Sequence, residues 1–76
     1  MEKLYSFNMN VNGETIVYSV LFENEVYSFV PEDIYVNAAT LQFRLENNHW
    51  IALQQIDPEI QQQAISCLDQ YLLSQH

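Results

Sequence analysis

The pair Asn12-Gly13, which lies between two predicted strands, constrains the fold of this chain more than any other feature. Asn-Gly is the strongest short signal for a two-residue β-hairpin turn, because both central residues of that turn need a positive φ. Residues 3–11 alternate apolar and polar side chains, which is typical of a half-buried strand. Residues 14–22 continue as a second predicted strand. The chain therefore begins with a predicted hairpin.

A second tight turn at Glu23-Asn24 predicts a third strand over residues 25–30. With two-residue loops at both turns, Val20 faces Tyr5 on one side and Tyr27 on the other. The large aromatic side chains then share one face of the sheet, which we call the aromatic face: Tyr5, Phe7, Tyr18, Tyr27 and Phe29. A shift of one residue in either hairpin would scatter them over both faces. The agreement of two independent turns therefore favours a three-stranded meander.

The next part of the chain predicts a second hairpin. Residues 41–46 alternate, Asn47-Asn48 is a turn signal, and residues 49–54 form the returning strand. A two-residue loop places Trp50 and Ala52 beside Leu45 and Phe43, whereas a three-residue loop places Ile51 and Leu53 there. The alternation does not choose between these two registers.

A helix of about seventeen residues, roughly 25 Å long, is predicted to follow. Asp57 is a suitable N-cap, Pro58 suits the first helical position, and Glu59 complements the helix dipole. One apolar stripe recurs at helical spacing: Ile60, Ala64, Cys67, Leu68, Tyr71 and Leu72. The prediction is a single α+β domain over residues 1–76. It comprises an antiparallel meander of about five strands, with one C-terminal helix packed across the aromatic face.

Charge narrows the classes of partner. The chain has ten acidic and two basic residues, for a formal net charge of −8. Nucleic acids and anionic membranes both require cationic contacts, so neither is an expected partner. The acidic residues are scattered over turns and helix ends rather than gathered in a block. Residues 1–11 lack the apolar core of a signal peptide, and we expect a cytoplasmic protein.

No motif for catalysis, a cofactor or a metal is present, and the prediction is a protein that is not an enzyme. Cys67 lies on the apolar stripe with no basic residue within a helical turn, which favours a buried structural thiol over a nucleophile. His49 and Trp50 adjoin a turn, which favours a packed tryptophan and a solvated histidine. The single glycine, Gly13, cannot build a phosphate-binding loop.

The sheet face opposite the aromatic residues, which we call the opposite face, is unusually apolar. The predicted registers align Leu4, Leu21 and Val26 in one row and place Val17 beside Val30. Such a patch marks an interaction surface, unless residues 31–40 fold back over it with Ile34 and Val36. The candidate interface therefore consists of five residues: Leu4, Val17, Leu21, Val26 and Val30.

Three hypotheses of function follow. The leading one is a small protein-interaction module that binds a protein partner or self-associates through the opposite face. The second is an acidic inhibitor or mimic that binds a basic protein, with charge as its only support. The third is a small-molecule-binding domain with a pocket between helix and sheet, near His49 and Trp50.

Overall fold

The computed structural model describes residues 2–33 and 38–75. Within these residues the chain forms five strands and one helix: β1 (Glu2–Val11), β2 (Glu14–Glu23), β3 (Val26–Pro31), β4 (Leu41–Glu46), β5 (His49–Ala52) and α1 (Pro58–Ser74). The strands are hydrogen-bonded in chain order and all neighbours are antiparallel. The predicted α+β meander with a C-terminal helix is confirmed.

The first hairpin has the predicted register over most of its length. Tyr5 faces Val20, and the pairing continues in step to the turn. Asn12 and Gly13 both have positive φ, at 52° and 83°. This is the left-handed conformation that Asn tolerates and Gly adopts without penalty.

A bulge near the start of β1 overturns one predicted row. Lys3 pairs with Leu21 and Tyr5 pairs with Val20, so Leu4 is an extra residue on β1. Leu4 packs against the core instead of lying beside Leu21. The prediction that Leu4 belongs to the opposite face is therefore wrong. Two consecutive apolar residues, Leu4 and Tyr5, both reach the core, which a regular strand does not allow.

The second turn lies one residue later than predicted. Its central residues are Asn24 and Glu25, with φ of 53° and 63°. Val20 consequently faces Phe29 rather than Tyr27. This shift moves β3 by two positions along β2, so every side chain keeps its predicted face while the rows change. Leu21 faces Ser28, Val26 faces Glu23 and Val30 faces Ser19. The predicted pairings of Leu21 with Val26 and of Val17 with Val30 are therefore wrong.

Aromatic packing gives a physical reason for the later turn. The observed register pairs Phe22 with Tyr27, and their ring centroids are 4.6 Å apart. In the predicted register Phe22 would have faced the charged Glu25. An aromatic pair across two strands stabilises a sheet by about 0.2–1 kcal/mol.

The second hairpin takes the shorter of the two loops considered. Asn47 and Asn48 have φ of 51° and 65°, and Leu45 faces Trp50 across the turn. β5 ends at Ala52, two residues earlier than predicted. After β5, Gln54 Nε2 donates a hydrogen bond to the Thr40 carbonyl at 2.7 Å, and Gln54 Oε1 accepts one from the Gln42 amide at 3.3 Å. These two bonds continue the hydrogen bonding along β4 beyond the end of β5.

α1 packs across the aromatic face, as predicted. Asp57 caps it by accepting a hydrogen bond from the Glu59 amide at 2.9 Å. Ala64, Cys67 and Leu68 are buried against the sheet. The core also contains seven buried strand residues: Met9, Ile16, Tyr18, Val20, Phe29, Leu41 and Phe43. The apolar stripe of α1 thus covers the aromatic face of the sheet.

The connection between β3 and β4 is described at its two ends. Ala38 packs against the core, and the Tyr18 hydroxyl donates to the Ala39 carbonyl at 3.4 Å. The predicted cover of the opposite face by Ile34 and Val36 lies outside the described residues.

Candidate functional site

Four of the five predicted interface residues lie on the opposite face. Strand alternation sets Val17 and Leu21 of β2 and Val26 and Val30 of β3 away from the buried aromatic residues. Val17 is 40% exposed, and the other three are half-buried. Leu4 is absent from this face because the bulge turns it to the core.

β5 and the residue that follows it add two apolar side chains that the sequence did not assign to a face. Ile51 and Leu53 are each 42% exposed, and Ile51 pairs with Arg44 across the hairpin. Once the loop is known to have two residues, both follow from alternation with the half-buried Trp50 and Ala52. The tolerance of asparagine for left-handed φ at Asn47-Asn48 was the signal that could have revealed them.

A shallow cavity of about 190 Å³ joins these strands. Leu21, Val26 and Leu53 line it, together with Glu23, Asn24, Ser28 and Gln42. The register places Leu21, Ser28 and Gln42 in one row across three strands. The apolar residues therefore form a continuous depression rather than isolated exposed side chains.

A polar cluster borders the patch on the β1 side. Glu32 Oε2 accepts hydrogen bonds from Ser6 Oγ at 2.6 Å, Ser19 Oγ at 2.9 Å and Lys3 Nζ at 3.4 Å. These contacts, with Ser6 first, lower the pKa of Glu32. The sequence predicted a row of Ser6, Ser19 and Ser28 across three strands. The Ser6–Ser19 pair is confirmed, whereas Ser19 faces Val30 and Ser28 faces Leu21. It treated Glu32 as a solvated turn residue and missed its place over this pair.

Both cations of the chain lie on the opposite face. Lys3 pairs with Glu32, and Arg44 projects away from its buried neighbour Phe43. Among residues 2–33 and 38–75, Arg44 has no salt-bridge partner. Glu46 projects from the same face of β4, two residues away. The face thus combines apolar side chains with charges of both signs.

The helix side of the molecule has a different charge. α1 and its N-cap carry Asp57, Glu59 and Asp69 and no lysine or arginine. Asp69 Oδ1 accepts a hydrogen bond from Trp50 Nε1 at 2.7 Å. As predicted, Trp50 is half-buried, and it packs edge-on against Tyr27 with ring centroids 5.3 Å apart. His49 is exposed.

Cys67 has the surroundings of a structural thiol. Its Sγ lies 3.0 Å from the Tyr5 hydroxyl, and burial raises the pKa of Cys67. Burial, followed by the hydrogen bond to Cys67, raises the pKa of Tyr5 far above its usual value. Both groups therefore stay protonated at neutral pH. The Tyr5 ring also stacks on Tyr71 at a centroid distance of 4.9 Å.

The third hypothesis, a pocket between helix and sheet, can be compared with the cavities along α1. On the flank of α1 that carries Asp69, a cavity of about 570 Å³ opens beside the half-buried Ile65. His49 and Trp50 do not line it. Its walls belong to α1 alone. Two further cavities, of about 590 Å³ and 300 Å³, do lie between α1 and β1, and His49 and Trp50 line neither of them.

Two further properties concern the described residues as a whole. No three histidine, cysteine, aspartate or glutamate side chains in residues 2–33 and 38–75 are grouped so that they could hold a metal ion. Within the same ranges, no helix has both the length and the apolar character needed to cross a membrane.

Comparison of the chain with protein-family models, with curated proteins and with solved structures found no match. The functional inference therefore depends on the surfaces described above. The strongest of these is the opposite face.

Proposed function

We propose that this chain is a small cytoplasmic, non-enzymatic interaction module that associates with a second copy of itself through the opposite face. One observation carries the proposal. The face that α1 leaves uncovered combines exposed apolar side chains with both cations of a strongly acidic chain.

Apolar exposure supplies the driving force. Val17, Ile51 and Leu53 each expose about two fifths of their area, at 40%, 42% and 42%. Leu53 lines the depression together with Leu21 and Val26. A sheet face of this composition is stabilised by burial, at about 25 cal/mol for each Å² of apolar surface removed from water. α1 cannot provide this burial because it lies on the other side of the sheet.

Charge indicates which face two copies of the chain would use to associate. Two chains of net charge −8 repel one another, and an approach through α1 would oppose the carboxylates of both helices. An approach through the opposite face brings Lys3 and Arg44 to the interface instead. A twofold axis that passes beside β4 would set Arg44 of one copy against Glu46 of the other, and the reverse. This face is the one on which association costs least electrostatically.

A matched pair of substitutions tests the proposal. Leu53→Glu and Leu73→Glu make the same chemical change at exposed positions, one on the opposite face and one on α1, where Leu73 is 73% exposed. We expect wild type and Leu73→Glu to dimerise in sedimentation velocity and Leu53→Glu to be monomeric. Circular dichroism verifies that each variant is folded. A monomeric wild type at 100-fold different loading concentrations, or a dimer indifferent to Leu53→Glu, refutes the proposal.

An acidic surface that binds a basic protein is the second candidate. Its support is the segregation of Asp57, Glu59 and Asp69 to a helix with no cation. Ionic strength separates the two candidates. Salt screens repulsion between like-charged copies and so strengthens self-association, whereas it weakens capture of a basic partner.

A further inference from the structure

We propose that the free edge of β1, with the flank of α1 beside it, is a second docking site that takes an extended peptide of a partner protein as an added strand. This site is separate from the opposite face. It is defined by backbone hydrogen-bonding groups and by a groove, and it does not require self-association.

The free edge of β1 presents backbone N–H and C=O groups that point away from β2. Among the described residues, β1 pairs with β2 on one side only. In a hairpin closed by a two-residue loop, alternate residues direct their N–H and C=O groups away from the partner strand. From the observed register these are Ser6, Asn8 and Asn10. An edge of this kind is a template for another strand.

The second step is a contact that already imitates strand addition. Gln63 Oε1 accepts a hydrogen bond from the Asn10 amide at 2.9 Å, and Gln63 Nε2 donates to the Asn10 carbonyl at 2.8 Å. A carboxamide has the donor and acceptor of a peptide group, so this pair of bonds is the pair that an added strand would make. The contact shows that the edge is accessible from α1 and closes it at one end. Ser6 and Asn8 are left as the pairing positions.

The third step is the groove beside these positions. α1 runs along β1 in the opposite direction, with Gln63 at Asn10 and Tyr71 at Tyr5. Two cavities of about 590 Å³ and 300 Å³ follow this boundary. They share three lining residues, Phe7, Cys67 and Gln70, and therefore lie side by side along a groove between β1 and α1.

The lining defines the occupant. Helix side chains in the groove are amides and hydroxyls, and Phe7 supplies an apolar floor beside Cys67. Its one charged lining residue is Glu59, at the end near Gln63. The complementary ligand is an extended peptide with a small apolar side chain against Phe7 and a lysine or arginine near Glu59. The net charge of −8 adds attraction for such a basic segment.

A selected peptide and a matched pair of backbone variants test this site. The probe is a library of random octapeptides displayed on phage and selected on the wild-type protein, with the enriched peptides then synthesised. Asn8→Pro removes the edge N–H without touching a bond to β2, and proline is tolerated on such an edge. Asn8→Ala removes the same side chain and keeps the N–H. We expect Asn8→Pro to weaken peptide binding by about tenfold or more, and Asn8→Ala to change it by less than threefold.

A second pair protects the test against misfolding of the proline variant. Gln70→Trp fills the groove from the exposed side of α1, and Gln61→Trp makes the same change on the other flank of the helix. We expect loss of binding for Gln70→Trp alone. In ¹⁵N NMR titrations of the wild type, the largest shifts are expected at Ser6 and Asn8.

Four outcomes would overturn the proposal. The first is a library that yields no binder above background. The second is equal binding by Gln70→Trp and Gln61→Trp. The third is NMR shifts confined to the opposite face. If Asn8→Pro instead changes the oligomeric state of the free protein, the edge pairs with a second copy and the peptide proposal is wrong. Peptide binding that survives Leu53→Glu would separate this site from the proposed dimer interface.

Discussion

Replacing Gln63 by glutamate is the most discriminating perturbation of this fold, because it alters one atom of a contact that closes a sheet edge. The amide of Gln63 donates to the Asn10 carbonyl at 2.8 Å and accepts from its N–H at 2.9 Å. In Gln63→Glu the acceptor remains, whereas the donor becomes a second acceptor. One hydrogen bond is lost and a carboxylate oxygen opposes a carbonyl oxygen.

The magnitude follows from this geometry. Loss of one hydrogen bond costs about 0.5–1.5 kcal/mol, and a carbonyl at an exposed edge can be rehydrated, so with the added repulsion we expect about 1–2 kcal/mol. The total stability of a domain of this size is about 4–11 kcal/mol. For 60–100 residues, each 1 kcal/mol lowers Tm by about 4–8 °C. The melting temperature of Gln63→Glu should therefore fall by roughly 4–16 °C.

Gln62→Glu is the matched control. It introduces the same charge one residue earlier in α1, at an exposed side chain, and surface substitutions of this kind change stability by less than about 0.5 kcal/mol. Urea unfolding of the wild type and both variants at pH 7 measures the difference. Equal unfolding midpoints for Gln63→Glu and Gln62→Glu would refute the role assigned to this contact.

The pH dependence gives a second check on the same variant. The carbonyl of Asn10 disfavours the charged form of the introduced carboxyl, so its pKa is higher in the folded than in the unfolded state. Its destabilising effect is full at neutral pH and fades as the pH falls through the folded-state pKa, because the protonated acid can donate to Asn10. The gap between the two variants should therefore narrow at about pH 4. A gap that widens on acidification would contradict this account.

Two further predictions concern the core and the polar cluster. Leu68→Ala removes a side chain with 0% exposure from the centre of the helix–sheet contact, and we expect a loss of about 2–5 kcal/mol in urea unfolding; a loss below 1 kcal/mol would contradict the packing of α1. Ser6, Ser19 and Lys3 hold the pKa of Glu32 below its unfolded value of 4.5, so this carboxylate stabilises the fold above that pH and its contribution is lost as the pH falls through the folded-state pKa. Wild type should lose more stability than Glu32→Gln between pH 7 and pH 3, and parallel stability curves for the two proteins would be evidence against the cluster.

The sequence predicted which segments form strands and the helix, and which face of the sheet each side chain occupies. It was less successful in predicting which residues pair across neighbouring strands. Alternation assigned Val17, Leu21, Val26 and Val30 to one face because a strand has a period of two. The turn between β2 and β3 was placed one residue early, since both placements satisfy the local turn preferences. The assignment of these residues to one face remained correct because the resulting shift along β3 is an even number of residues.

Local sequence patterns could not predict the bulge in β1 or the contact of Gln63 with the edge of β1. Leu4 and Tyr5 both reach the core only because β1 carries an extra residue there. The hydrogen bonds of Gln63 join residues 53 positions apart. Nothing in the chain near either residue specifies its partner, because that choice depends on where α1 comes to lie.

The sequence by itself determined the α+β class, the apolar stripe of α1 and the side of the sheet that α1 covers. These follow from local rules, namely turn conformation, capping and periodicity, which need no knowledge of distant residues. The tertiary structure decided the pairing of Phe22 with Tyr27, the position of Glu32 over Ser6, and the closure of the β1 edge by Gln63. Each of these joins separate elements, and its energy depends on how those elements pack.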